Sequence, residues 1–210
     1  MAERPSDPDR RPPTLIERKQ AAARMRIIDA ADALFDERGF DGVSVTDIAE
    51  RAEVGRTTFF RHFRDKTEVV FAKEQSMSSA IADAASESWG PDRRVDSLAA
   101  ALRTLEPLVI RLCEQATADP AGYERHERLL AAHEELRARE ARKHQQMATG
   151  LAHALVEHGA APAIATTAAQ LALACYASGR LLSTSPDDLA RRTRAAFRGA
   201  LAMGASSADG

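Results

Sequence analysis

The sequence predicts an all-α protein of about nine helices, a small N-terminal helix-turn-helix bundle followed by a larger helical domain. Three observations predict it. Apolar residues recur at three- and four-residue spacing along most of the chain, and no stretch alternates as a half-buried strand would. Helix starts are marked by capping signals at Thr14-x-x-Glu17, Asp65-x-x-Glu68 and Ser185-Pro186-Asp187-Asp188. Glycine and proline then fall between the periodic runs, at Gly39, Gly55, Trp89-Gly90-Pro91 and Asp119-Pro120-Ala121-Gly122.

Residues 1–13 are polar, rich in Pro and Arg and without periodicity, so a disordered tail is expected there. Arg10 and Arg11 would serve either as a minor-groove arm or as part of a solubilising tail whose acids cancel them. The first helix opens at Thr14, buries Ile27, Ile28, Ala31, Leu34 and Phe35, and stops at Gly39 with Phe40 folding back as its hydrophobic partner. Ser44 caps a second helix, with Asp47 near its positive end and Ile48, Ala49 and Ala52 as its buried stripe. A tight turn at Glu53–Gly55 leads into a third helix. Its apolar contacts are Val54, Phe59, Phe60 and Phe63, and its first turn is polar. Asp65 caps a fourth helix expected to run to about Ser88, before the Trp89-Gly90-Pro91 boundary.

Beyond the boundary, Val95, Leu98, Leu102, Leu105, Val109, Leu112 and Cys113 trace one helical face. Pro107 within it should kink the helix by removing a backbone bond, which leaves space for a ligand or is simply structural. Residues 123–158 read as a short and a long helix with a break near His133. Glu134, Glu135, Arg137, Arg139, Glu140, Arg142 and Lys143 look like a solvated, ion-paired surface. A helix from Pro162 to about Leu182 is apolar or small on two sides, as expected of one packed between its own core and a partner. The last helix carries Leu189, Thr193, Ala196, Phe197, Ala200 and Leu201, and its end is expected to fray after Met203. The predicted divisions are therefore 1–13, 14–64, 65–88 as a connecting helix, 89–204 and a disordered 205–210.

Composition excludes several function classes. With 44% hydrophobic and 29% charged residues in 210, a soluble globular chain of one or two domains is expected. No apolar run is long enough to span a bilayer and no signal-peptide core opens the chain, which predicts a cytoplasmic protein with no membrane partner. Cys113 and Cys175 are too few for a disulfide scaffold and read as buried thiols, with a redox pair as the alternative. Five of the six histidines, at 126, 133, 144, 153 and 158, lack the i, i+4 spacing of a metal clamp, so neither metal nor cofactor is expected. No phosphate loop, nucleophile elbow or zinc-protease pattern occurs, and no enzyme is predicted. A net charge of −2 gives no general attraction to nucleic acid, yet residues 56–66 hold Arg56, Arg61, Arg64 and Lys66 against Asp65 alone.

Gly39-Phe40, Thr46-Asp47-Ile48-Ala49, Val54-Gly55, Thr58-Phe59-Phe60, His62-Phe63 and Lys66, in this order and spacing, resemble the DNA-binding motif of the TetR family of transcriptional regulators. Three positions depart from that pattern. Glu53 stands where glycine is usual, at a turn expected to need a left-handed backbone and so to carry about 1 kcal/mol of strain. Gly55 replaces a serine cap, and Phe60 replaces a frequent tyrosine, removing a hydroxyl that could meet a phosphate.

The resemblance implies a one-component regulator, a repressor or else an activator, that binds double-stranded DNA as a homodimer on a palindromic operator. Half-sites would lie about 34–36 Å or a small multiple apart. The residues expected on DNA are Ser44, Thr46, Arg56, Thr57, Thr58, Phe60, Arg61, His62 and Lys66. Arg56 would read a guanine edge, Thr57 and Thr58 would touch base or phosphate, and Thr46, His62 and Lys66 would grip phosphates. Phe60 would meet a thymine methyl or pack. A small hydrophobic effector is implied in a pocket of Leu102, Leu105, Val109, Cys113, Leu151, Leu155, Leu171 and Cys175. The last two long helices would form the dimer interface through Ile164, Ala168, Ala172, Leu182, Leu189, Phe197 and Leu201. The competing reading is an all-helical interaction module that no longer binds DNA.

Overall fold

The computed structural model describes residues 14–72 and 95–206. The expected N-terminal tail, the course of the fourth helix beyond Ala72, the Trp89-Gly90-Pro91 boundary and residues 207–210 lie outside the described residues. All regular elements among the described residues are helical. The chain divides into two compact units, residues 1–72 and 73–210.

The first unit holds α1 (Leu15–Arg38), α2 (Val45–Arg51), α3 (Arg56–His62) and α4 (Lys66–Val70). At the start of α1 the Thr14 hydroxyl accepts from the Glu17 N–H at 3.2 Å, and the Glu17 carboxylate accepts from the Thr14 N–H at 2.6 Å. The first two turns of α1 are exposed on every side. Burial begins at Ala23 and continues through Ile27, Ile28, Ala31, Leu34 and Phe35. Gly39 ends the helix at φ 71°, and the Phe40 ring packs 5.3 Å from that of Phe35. Ile48 and Ala49 of α2, Phe59 and Phe63 around α3, and Val69 and Phe71 around α4 complete this core. Fully burying side chains of this kind contributes about 1.5–3 kcal/mol each.

The second unit holds α5 (Leu98–Ala116), α6 (Pro120–Ala132), α7 (Glu134–Glu157), α8 (Pro162–Leu182), a 3₁₀ turn (Pro186–Asp188) and α9 (Leu189–Ser206). The break predicted near His133 is a single extended residue, φ −125° and ψ 115°, that ends α6 and opens α7. Helix α5 runs without interruption through Pro107. Helix α9 stays helical through Ser206, past the point where fraying is expected. Helices α8 and α9 meet at Gly179: a Cβ there would lie 2.7 Å from the backbone nitrogen of Thr193 and 2.8 Å from its Cα, so only glycine permits this approach.

The charged stretch of α7 is a solvated surface only in part. Glu140 turns inward, with only 13% of its side chain exposed, because Arg180 of α8 binds it at 2.6 Å; Glu127 of α6 holds the same guanidinium at 2.8 Å. Arg137 stays exposed, and its Nη1 donates to the carbonyls of Leu130 and Ala131, both at 2.9 Å, closing the C-terminus of α6. The His144 ring stands edge-on to Tyr176, with ring centroids 5.6 Å apart.

Four of the residues expected at a dimer interface belong to the unit's own core instead. Ala168, Ala172, Leu189 and Phe197 are each completely buried within the single chain. Helical spacing identified their stripe as apolar but could not say which partner covers it, and here it is α5 and the facing side of α9 or α8. Ile164 and Leu201 are partly buried against the same core, and Leu182 is exposed. The outward face of α8 is a different line, Ala163, Thr166, Gln170, Ala174, Ala177 and Leu181. That of α9 is Arg191, Ala195, Arg198, Gly199 and Ala202.

Candidate nucleic-acid interface

Helices α2 and α3 are set by their ends. The Ser44 hydroxyl accepts from the Asp47 N–H at 3.2 Å, while the Asp47 carboxylate accepts from the Ser44 N–H at 2.8 Å and from its hydroxyl. Those bonds hold the Asp47 carboxyl below the usual carboxylate range. Arg38 and Arg51 add ion pairs to Asp47 at 3.4 Å and Glu37 at 2.7 Å, tying α2 to α1; being exposed, they contribute little. Ser44 is thus committed to the cap, and Thr46 sits half-buried in the first turn.

The α2–α3 turn bends back at Glu53, whose φ of 52° is the left-handed backbone expected from its place in the motif. The Val54 N–H then reaches the Ala49 carbonyl at 3.0 Å. Gly55 supplies an extended N-cap to α3 but no side-chain bond, as its replacement of serine predicts.

From this turn α3 presents two faces. Phe59 is buried and Phe63 follows it into the core, with ring centroids 5.9 Å apart. On the other side Arg56, Thr57, Phe60 and Arg61 are exposed, and Thr58 and His62 are partly so. The Arg56 guanidinium lies over the Phe60 ring, 5.9 Å from its centroid, so a nearly half-exposed phenylalanine serves as a platform for the adjacent cation. Phe60 therefore does not pack in the core; it stands in solvent beside the residue expected to read bases.

Lys66 departs from expectation. Its Nζ donates to the carbonyls of Phe40 at 2.7 Å and Val43 at 3.0 Å and lies 4.2 Å from the centre of the Phe40 ring. This ammonium fastens the α1–α2 loop to the start of α4, and two of its three donors are spent inside the unit rather than on a phosphate. Arg24, which no local motif singles out, donates to the Ala72 carbonyl at 3.0 Å and covers the Phe63 ring at 5.3 Å. Its partners lie 48 and 39 positions along the chain, a distance at which spacing carries no signal.

The residues expected to line an effector pocket come together in the second unit. Leu102, Leu105, Val109, Cys113, Leu155 and Cys175 are buried in one cluster, with Leu151 and Leu171 packed against it. The Cys113 thiol donates to the Thr193 hydroxyl at 3.5 Å, and burial pushes it up to about 11. Burial raises Cys175 too. Among the described residues, no group of His, Cys, Asp and Glu could hold a metal ion, and no helix is long and apolar enough to cross a membrane.

Residues 27–72, the span of this helix-turn-helix from mid-α1 to the end of the first unit, match the family model of bacterial regulatory proteins, tetR family. Over this unit, about a fifth of the chain, the sequence is similar to the TetR family. That family is one of regulatory proteins, not of enzymes. An HTH-type transcriptional regulator of Staphylococcus aureus is 42% identical over 48 residues, 23% of this chain and 26% of the relative. The chain thus spans about a quarter of the length of the curated relatives it matches. Similarity of fold reaches much further than similarity of sequence. The SmeT–triclosan complex superposes on 87% of this chain and 91% of its own with TM-score 0.58 at 20% identity. The FadR of Thermus thermophilus, a TetR-family transcriptional repressor in complex with lauroyl-CoA, does so on 83% and 91% with TM-score 0.51 at 23% identity.

Proposed function

We propose that this chain is a cytoplasmic one-component repressor of the TetR type that binds a palindromic operator as a homodimer and is released by a small hydrophobic effector. The observation that carries the proposal is α3, which seats Phe59 in the core and turns Arg56, Thr57 and Arg61 outward from a helix-turn-helix. Arg56 reads a base edge, with Thr57, Thr58 and Phe60 beside it. Arg61 and His62 take phosphates, fixing the register in which Arg56 reads.

The dimer forms on the outward faces of α8 and α9. Ala174, Ala177, Ala195 and Gly199 lie along those faces, and a Cβ at Gly199 would meet nothing within 4 Å. Small exposed residues let helices of two subunits approach closely, and two-fold symmetry then matches a palindrome. The apolar cluster around Cys113, Leu151 and Leu171 takes the effector, in keeping with the triclosan and lauroyl-CoA bound by the like-folded SmeT and FadR. Its differential affinity for two arrangements of the readers releases DNA. On this reading residues 14–64 read DNA, 65–88 connect, and 89–204 bind effector and partner.

The test is selection of bound sequences from a random duplex pool by the purified full-length protein at fixed salt. An enriched palindrome is the expected result. Binding without enrichment, or no binding at low salt, overturns the repressor reading and favours the interaction module.

A further inference from the structure

On the reading of α3 as a DNA-contacting helix, we propose that Arg24, Arg61 and His62 together seat one phosphate of the bound duplex, and that His62 takes up a proton as the phosphate arrives. Three observations converge on this cluster. Arg24 projects from α1 to the C-terminal end of α3, where its guanidinium covers the Phe63 ring. His62 sits beside the same ring, 6.4 Å between centroids, and Arg61 precedes it on the exposed face. Arg24 uses one of a guanidinium's five donors on the Ala72 carbonyl, so its anchor leaves donors for an anion.

Two elements thus bring fixed positive charge to one imidazole. Burial, Arg24 and Arg61, in that order, hold its pKa below the ordinary histidine value. At the start of α4, Lys66 donates to the Phe40 and Val43 carbonyls, Glu68 accepts from the Arg64 N–H and Asp65 accepts from the Glu68 N–H. A phosphate entering between the guanidinium groups cancels the repulsion and favours the imidazolium. The folded, DNA-free protein therefore holds His62 neutral where the complex holds it charged, and binding consumes a proton. The sign follows: affinity rises as pH falls through the range between the two pKa values and is flat outside it, with at most a tenfold change per pH unit for each subunit engaged. His62 is the only histidine before residue 126, so this titration has no competitor of its kind in the N-terminal unit.

The test measures dissociation constants of the full-length protein for a fluorescein-labelled duplex, using the sequence enriched by selection, between about pH 5 and pH 8. Wild type should bind more tightly as pH falls. His62→Gln should bind at the weak, high-pH level throughout, and His62→Arg should bind at the tight level throughout, both with flat profiles. Arg24→Ala, checked for native circular dichroism, should lower the salt slope by about 0.9 per subunit, whereas Arg24→Gln with an unchanged slope overturns the role of Arg24. A wild-type profile that is flat, or that keeps its slope in His62→Gln, overturns the proton uptake while leaving the DNA-binding reading intact. Absence of any enriched duplex would instead remove that reading.

Discussion

Glu53 offers the most direct test of how the first unit is built. Its φ of 52° places a side chain with a Cβ in the left-handed region, at a cost of about 1–2 kcal/mol relative to glycine. Glu53→Gly relieves that strain but also loosens the unfolded chain, which returns about 0.4–1 kcal/mol. The difference is a net gain of about 0.5–1 kcal/mol. The side chain is exposed, so no packing is lost with it. The local readout is native-state hydrogen exchange of the Val54 amide, whose bond to the Ala49 carbonyl closes the turn. Its opening should become about two- to fivefold rarer in the full-length protein. Glu53→Ala supplies the control, since it removes the carboxylate but keeps a Cβ at positive φ. If alanine protects Val54 as well as glycine does, the gain comes from charge and the strain argument is wrong.

Gly179→Ala should destabilise the second unit by about 1–3 kcal/mol in urea unfolding, because its new methyl meets the Thr193 backbone. Thr193→Ser should not rescue it, as the obstructing nitrogen and Cα remain. Acidification should weaken the α2 cap: the Asp47 carboxyl is held low in the folded state, so its contribution is whole above the usual Asp pKa and is lost as pH falls through the depressed value. Asp47→Asn should flatten that acid limb in a pH series of thermal melts. Cys113 should resist iodoacetamide at neutral pH in the native protein, since burial pushes the thiol up to about 11, and should react readily in urea when followed by mass spectrometry. Ala174→Arg on the outward face of α8 should leave the helical spectrum unchanged and shift sedimentation from dimer to monomer, while a dimer that persists would place the interface elsewhere.

Local physics made most of the fold legible. Capping boxes at Thr14 and Ser44, the Gly39 stop and the lone joint at His133 all act within four residues of themselves, and spacing reveals them. Even the positive φ of Glu53 was foreseeable, because the surrounding motif needs a reversal there. Periodicity also found the correct apolar stripes of α8 and α9, yet the dimer interface implied by the family resemblance took in Ala168, Ala172, Leu189 and Phe197, which one chain buries completely. The spacing of apolar residues names a face of a helix, never its neighbour. The charged residues were least readable. Glu140, Arg24 and Lys66 look like surface cations and anions in sequence, and each is drawn inward by a group more than 20 residues away.

The bond from Lys66 to Phe40 and Val43 has a consequence for how the first unit opens. It joins positions 26 residues apart and so closes a non-covalent ring of chain. Helix α2, its turn and α3 all lie inside that ring. A helix of seven residues would fray by itself within nanoseconds to microseconds, but inside a closed loop it gains less chain entropy by opening. The Lys66 ammonium thereby adds to what the buried Phe59 and Phe63 already do to hold α3. The outward side chains of so short a helix gain their fixed geometry from a closure that none of them touches.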